Sequence, residues 1–496
     1  MSTFDVIMLT DTATFPHWSR GYGAHRIADH LRQHGFSVLV LDFSSALTFD
    51  VWQQICNLAI GDNTQMVGFS STWWPYRTPF EKNKNPEFRI SNIDWLAEIG
   101  SSPNILKDTL TFSAIQGDCQ PWIDVVKVKN KKIKIVLGGP KLDWYLDFPA
   151  DYFINGLGEN QIIDLLTQPK RIWPPVLQHD INSNLREWGW RESCTRYTKY
   201  DQIKSDEILN LEIARGCKFK CNFCSFPLIG QKDVAGYLKT EETIYQELLR
   251  NYEQWGVTKY FVADDTFNDS IEKLEMMVRI QNRLPFNFEF KAYIRVDVIA
   301  TQPAQIELLY AAGLRSCYIG IESFHPSASK FAGKGMDPTK RKQALYAMQK
   351  AWGDRVSING GYIVGLLGED EAFLRQEAEW FAQLDCPVNY GVSFIGLVIH
   401  PVKEGSYTYP SAIDKDPGSF GYTFPDSSRP SHWVKDDGTD ITNYKRAVEL
   451  ADELNTYVWG VRGPTRDNVD YKEGAIVDPL SDYFMPLIKM LEDIND

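Results

Sequence analysis

Short apolar runs alternate along most of the chain with segments whose apolar residues recur at helical spacing. Phe4 to Leu9, Ser37 to Leu41, Met66 to Ser70, Ile133 to Leu137 and Tyr152 to Ile154 read as strands, with a helix over Gly23 to His34 between the first two. Gly or Ser closes or follows the later runs, as suits strands whose C-terminal ends open onto a binding crevice. Residues 1–185 are therefore expected to form a doubly wound, Rossmann-like α/β domain of about five strands. Residues 75–118 interrupt it with a polar, aromatic-bearing insert, and residues 168–206, which contain Trp173-Pro174-Pro175, read as the connection onward, with a linker at 186–206.

The alternation resumes with a new rhythm. Strands are expected at 208–214, 259–264, 286–293, 315–321, 356–364 and 391–398, and helices at 240–255, 270–283, 302–312, 338–352 and 370–384, with Thr240 and Asp269 as candidate caps. Six strands with intervening helices describe a partial (βα)6 TIM-like barrel over 207–402, whose chemistry belongs at the C-terminal strand ends. A stretch rich in Gly, Pro, Ser and Asp, then helices near 441–457 and 479–493, read as a C-terminal cap over 403–496.

Composition narrows the class. A chain of 496 residues suits two or three domains, and 43% hydrophobic with 24% charged residues is ordinary for a globular protein. The opening residues carry an acid where a secretory signal needs a base, and no apolar stretch approaches the ~20 residues of a membrane span, so a cytoplasmic location away from membranes is expected. A net charge of −13 disfavours bulk nucleic acid as a partner, because such binding relies on clustered Lys and Arg. It leaves a small molecule or peptide as the expected substrate.

Of the eight cysteines, at 56, 119, 194, 217, 221, 224, 317 and 386, only three lie close together, which is no disulfide framework. Arg215-Gly216-Cys217-Lys218-Phe219-Lys220-Cys221-Asn222-Phe223-Cys224 directly follows the first barrel strand and puts three thiols on one loop. Thiolates are the ligands of iron-sulfur clusters, and three of them leave one iron of a cubane without a protein ligand, open to a substrate or cofactor. Structural zinc normally takes four ligands, and no fourth Cys or His lies at motif distance, with Cys194 the one plausible confounder. Ligand count thus favours a cluster.

This CxxxCxxC loop, with aromatic Phe223 before the third cysteine, resembles the signature of the radical SAM superfamily. The resemblance extends over about 207–402 and implies that Cys217, Cys221 and Cys224 hold a 4Fe-4S cluster whose open iron binds S-adenosylmethionine. One electron, from a donor such as flavodoxin or ferredoxin, would then cleave it to a 5′-deoxyadenosyl radical. Asp264 and Asp265, in Ala263-Asp264-Asp265-Thr266-Phe267, stand where the family recognises the methionine amino group, replacing the usual Gly-Gly-Glu. Arg295 is similar to an arginine that reaches the methionine carboxylate, with a plain ion pair to Asp297 as the alternative. Glu322 and Ser323 resemble the contacts to ribose and methionine. Gly365, in Gly361-Tyr362-Ile363-Val364-Gly365-Leu366-Leu367-Gly368-Glu369, resembles the glycine stretch near the adenine, with Leu367 in place of a frequent proline.

Met66-Val67-Gly68-Phe69-Ser70, Val136-Leu137-Gly138-Gly139-Pro140 and Asn155-Gly156-Leu157-Gly158-Glu159 are individually weak signals, since glycine after a strand is ordinary turn chemistry. In this order they resemble the cobalamin-binding domain that precedes the barrel in a large radical SAM subgroup. The resemblance implies that Ser70, Ser71 and Thr72 bind the nucleotide tail, and that Gly138, Gly139 and Gly156 lie against the corrinoid. The Asp-x-His-x-x-Gly cobalt motif is replaced by Phe15-Pro16-His17-Trp18-Ser19-Arg20-Gly21, so His17 is better read as a turn histidine than as a ligand. The implied activity is cobalamin-dependent methylation of an unactivated carbon. Rearrangement, cyclisation or sulfur insertion without functional cobalamin is the alternative, and a non-catalytic cobalamin or iron-sulfur sensor the third.

Overall fold

The computed structural model describes residues 3–10, 20–70, 119–139, 148–168, 170–178, 189–225, 237–335, 337–402, 409–425, 432–462 and 480–495. His17, Ser71, Thr72 and the 75–118 insert lie outside the described residues.

The first sheet consists of β1 (Val6–Leu9), β2 (Val38–Leu41), β3 (Met66–Ser70), β4 (Lys134–Gly139), β5 (Tyr152–Asn155) and β6 (Val176–Gln178), in the order β2-β1-β3-β4-β5-β6, all pairs parallel. Its faces separate by the two-residue period of a strand. Val6 and Met8 pack with α1 (Tyr22–Gln33), while Ile7 and Leu9 pack with α2 (Phe49–Ala59) and α3 (Gln120–Lys129); α4 (Glu159–Thr167) completes the first face. Burial on both faces explains why these strands read as continuous apolar runs. The sheet has six strands rather than about five. The sixth, Val176–Gln178, lies in the stretch read as a connection, and at three residues it shows no period.

The second sheet is built from β7 (Ile208–Leu211), β8 (Lys259–Val262), β9 (Glu289–Ile294), β10 (Leu314–Glu322), β11 (Ser357–Val364) and β12 (Gly391–Gly396), parallel and in sequential order, as a partial (βα)6 barrel requires. Helices α5 (Glu241–Trp255), α6 (Ile271–Arg283), α7 (Val296–Thr301), α8 (Gln305–Ala311), α9 (Pro326–Phe331), α10 (Pro338–Trp352) and α11 (Glu371–Ala382) fill the crossovers. Thr240 caps α5 through Thr243 N, whereas α6 is capped by Ser270 through Lys273 N rather than by Asp269.

The expected cap over 403–496 divides between the two cores. Helix α12 (Tyr444–Arg462) lies on β12 and α11, with Asn455 accepting from Phe394 N and donating to Phe394 O, each at 2.8 Å; it serves as the barrel's sixth helix. Helix α13 (Met485–Asn495), with the turn before it, sends Tyr483, Phe484, Leu487, Ile488 and Leu491 into the first domain's core. The domains are further joined by buried Arg20, which donates to Glu207 at 2.6 and 2.8 Å and to Asp42 at 3.0 Å. Among the described residues no helix is long and apolar enough to cross a membrane.

Candidate functional site

The cysteine loop leaves the end of β7 and is anchored from beneath. Asp264, buried at the end of β8, accepts from the backbone N–H groups of Ile213 and Ala214, both at 2.9 Å, while its other oxygen meets Lys273 Nζ at 2.6 Å. Gly333, at φ +79°, sits so close that a Cβ there would lie 3.3 Å from Cys221 Cα. Cys217 is buried with its sulfur 3.4 Å from Thr266 Oγ1; Cys221 and Cys224 are half-buried and linked by a Cys224 N–H to Cys221 carbonyl bond of 3.1 Å. Among the described residues no three His, Cys, Asp or Glu side chains converge as ligands of a single ion would. Three soft sulfur donors on one anchored loop, one already receiving a guanidinium, fit a polynuclear cluster.

That guanidinium is Arg295. It donates Nη1 to Cys221 Sγ at 3.1 Å, holds Asp297 through two bonds of 3.0 and 2.6 Å, and lies 3.9 Å over the Phe219 ring. The ion pair with Asp297 is thus present, and the third donor goes to the Cys221 thiol rather than toward a methionine carboxylate. Phe223 packs against the barrel core.

The two acids divide their labour. Asp264 is consumed by backbone and lysine and cannot also receive an ammonium. Asp265 is half-buried and has no hydrogen-bond partner among the described residues. Burial, with Asp264 and Glu212 nearby, pushes its carboxyl up to about 7. An ammonium ligand would restore its charge.

Farther along, Glu322 ends β10 in the left-handed region at φ 62°, unusual without a glycine, and is half-buried 3.5 Å from Lys334 Nζ. Ser323 turns away: its hydroxyl reaches Glu369 Oε1 at 2.5 Å and its carbonyl takes Arg341 Nη2 at 2.6 Å, all fully buried. Burial pushes Glu369 up to about 8. Ser323 therefore ties β10 to the loop after β11 and leaves no acceptor free for a sugar. Gly365 is required by its positive φ of 103° and by Trp433, whose ring a Cβ would meet at 2.8 Å. The C-terminal segment, rather than open space for an adenine, covers it.

In the first domain the strand order reverses between β1 and β3, and the C-terminal strand ends there open on a cavity of about 240 Å³. Gly68, Ser70, Gly138, Gly139 and Gly156 line it, with Gly139 and Gly156 at positive φ of 130° and 83°. The glycine floor fits a flat ring; the volume is that of a heterocyclic base with its sugar rather than of a whole corrinoid, which is several times larger than the ~300 Å³ of a small ligand pocket. The far wall is Glu212 and Arg215 of the barrel. Arg215, two residues before Cys217, donates to Glu212 at 2.7 and 2.9 Å and to Glu159 of α4 at 2.8 Å, and stacks 4.3 Å from Trp190. Burial opposes the charge on Glu159, but Arg215 and Arg26 override it and hold the carboxyl at about 2. Sequence reasoning quoted Arg215 and Glu159 within motifs but gave them no role, because an ion pair 56 residues apart leaves no local pattern.

Residues 211–381 match the model of the Radical SAM superfamily. A search of curated proteins by sequence returns no match. Among solved structures, the chain resembles the radical S-adenosylmethionine methyltransferase TsrM from Kitasatospora setae, with tryptophan substrate and a SAM analogue bound, at 15% identity and a TM-score of 0.62 over 99% of this chain and 98% of that one. A second TsrM structure, with cobalamin and a [4Fe-4S] cluster bound, matches with a TM-score of 0.58 at 15% identity over 99% and 100%. The cobalamin-dependent S-adenosylmethionine radical enzyme OxsB, with aqua-cobalamin and S-adenosylmethionine bound, matches with a TM-score of 0.50 and 15% identity over 84% of this chain and 56% of that one. The match to the superfamily model spans most of the barrel, and the two-sheet architecture is shared with these enzymes.

Proposed function

From a radical SAM domain joined to a doubly wound domain, we propose that the chain is a cobalamin-dependent radical SAM enzyme that methylates a small molecule or peptide at an unactivated carbon. The observation that carries this reading is the lining of the first domain's cavity. Its wall includes Glu212 and Arg215, which lead directly into Cys217, so a ligand held there faces the cysteine loop. The proteins it resembles, TsrM and OxsB, are described with cobalamin, which agrees with that arrangement.

In this reading Cys217, Cys221 and Cys224 hold the 4Fe-4S cluster, Asp265 receives the ammonium of S-adenosylmethionine, and Glu322 offers an acceptor to its ribose. Gly68, Gly138, Gly139 and Gly156, with Ser70, receive the cobalamin tail. When bound, these groups supply a deoxyadenosyl radical and a transferable methyl group. The chain itself orients them: Asp264 fixes the loop, Arg295 holds Cys221, and packing of the two domains limits water at the mouth. A small acidic flavoprotein or ferredoxin is the proposed reductant.

Anaerobic reconstitution followed by assay of iron, sulfide, bound corrinoid, 5′-deoxyadenosine and S-adenosylhomocysteine tests this. Corrinoid with both products supports methylation. Deoxyadenosine without corrinoid supports the alternative radical chemistry, and neither product from an intact cluster removes the enzyme reading.

A further inference from the structure

The six barrel strands do not close, and this leaves the lumen different from that of an eight-stranded barrel, where layered side chains fill it. On β8, β9 and β10 the residues facing the helices, Tyr260, Val262, Phe290, Ala292, Cys317 and Ile319, are buried in the barrel core. The alternate residues face the lumen, and three carry aromatic rings. Phe261 meets Tyr293 at 5.7 Å and 72°, and Tyr293 meets Tyr318 at 5.6 Å and 74°, a continuous edge-to-face strip across three strands. Tyr293 is 45% exposed although its strand is flanked by a partner on each side.

The strip is held and aimed. Gly361 on β11 lies under Tyr318, where a Cβ would come within 2.6 Å of the phenol oxygen, so the glycine gives the ring its place. Neither phenol has a hydrogen-bond partner among the described residues. Each of the three strands runs on from its ring toward a mouth residue: Asp265 follows β8, Arg295 follows β9 and Glu322 ends β10. A ring that merely filled the core would be covered. Here Tyr293 stays 45% exposed and Phe261 and Tyr318 are only half-buried.

We propose that this strip is the substrate subsite, and that the substrate presents to it a flat, unsaturated ring carrying a hydroxyl, amine or carbonyl group. Edge-to-face rings at these distances extend naturally to a further planar ring, which a puckered saturated ring cannot imitate, and the free phenols supply its polar contact. The inference rests on the radical SAM reading only for what becomes of the ring after binding; the binding itself is separable.

The matched probes are 2-naphthol and decahydro-2-naphthol, which share a skeleton and a hydroxyl but differ in planarity. Anaerobic calorimetric titration of the reconstituted enzyme is expected to show 2-naphthol binding at least about tenfold more tightly. Tyr293→Ala should remove about tenfold of that affinity. Tyr293→Leu, which refills the space without a ring, should lose a similar amount while retaining the wild-type iron content, separating loss of the ring from loss of the barrel. Equal affinity for the two probes, no binding of 2-naphthol, or unchanged affinity in Tyr293→Leu would overturn the proposal. Deoxyadenosine formation by the wild-type enzyme is read in parallel: its absence with 2-naphthol binding intact refutes the radical chemistry and leaves the subsite standing.

Discussion

Replacing Arg215 by Met removes a guanidinium shared between the two domains at the cavity wall while keeping most of its volume. Arg215 bridges Glu159 of the first domain and Glu212 of the barrel, and Glu159 is only 4% exposed. The gap between the ordinary value of 4.5 and about 2 for Glu159 corresponds to about 3 kcal/mol at neutral pH. Because the folded value is depressed, that stability is fully present above about pH 4.5 and is lost as pH falls toward 2. In Arg215→Met burial dominates instead, and Glu159 becomes easier to protonate when folded than unfolded. The variant should lose about 3–5 kcal/mol at pH 7.5, and the loss should shrink as pH is lowered toward 5. Urea unfolding followed by tryptophan fluorescence reads this, since Trp190 stacks on Arg215. Arg215→Met/Glu159→Gln should recover about 1–3 kcal/mol relative to Arg215→Met alone. A loss below about 1 kcal/mol, or one that stays flat between pH 8 and 5, would refute the view of this seam as a buried, coupled charge pair.

Arg295→Met should leave the cluster assembled but make its reduction potential more negative, on the order of 50 mV, because a positive donor to Cys221 is removed; an unchanged potential in redox titration would count against that contact. Asp264→Ala should cost about 3–5 kcal/mol by stranding Lys273 and two backbone N–H groups, whereas Asp265→Asn should fold normally and bind S-adenosylmethionine weakly, with unfolding and equilibrium dialysis separating the two. Since Asp265 titrates near 7, the ratio of wild-type to Asp265→Asn affinity should rise about tenfold from pH 6 to 8. Leu487→Ala in α13 should destabilise the first domain by about 2–5 kcal/mol, seen as faster amide exchange in β1 to β3 with the barrel strands unaffected.

All six barrel strands were legible because each is a β-type run bounded by turn residues, and the first five are followed by segments of helical period. The cysteine loop was legible because its ligands are adjacent in sequence. What escaped was set by distance. Strand β6 is too short to carry a period, and α13 reads as an isolated amphipathic helix until Leu487 and Ile488 are seen against the first sheet. Asp264 and Asp265 differ by one place in sequence, yet one points into Lys273 and two backbone amides while the other faces the mouth, a distinction that only packing creates. Gly365 was given to an adenine because its glycine implied a close approach; the approaching group is Trp433. His25, within an ordinary-looking helix, is completely buried 2.7 Å from Asp42, and nothing in the local pattern marked it.

Cys217, Cys221 and Cys224 are proposed to hold a 4Fe-4S cluster whose remaining iron takes S-adenosylmethionine. Mössbauer spectroscopy of enzyme reconstituted with 57Fe tests it most directly. The expected result is a cubane spectrum in which a single iron subsite shifts when S-adenosylmethionine is added, and loss of the cluster in Cys221→Ala. A cluster whose iron sites all ignore S-adenosylmethionine, or one that survives in Cys221→Ala, would contradict it.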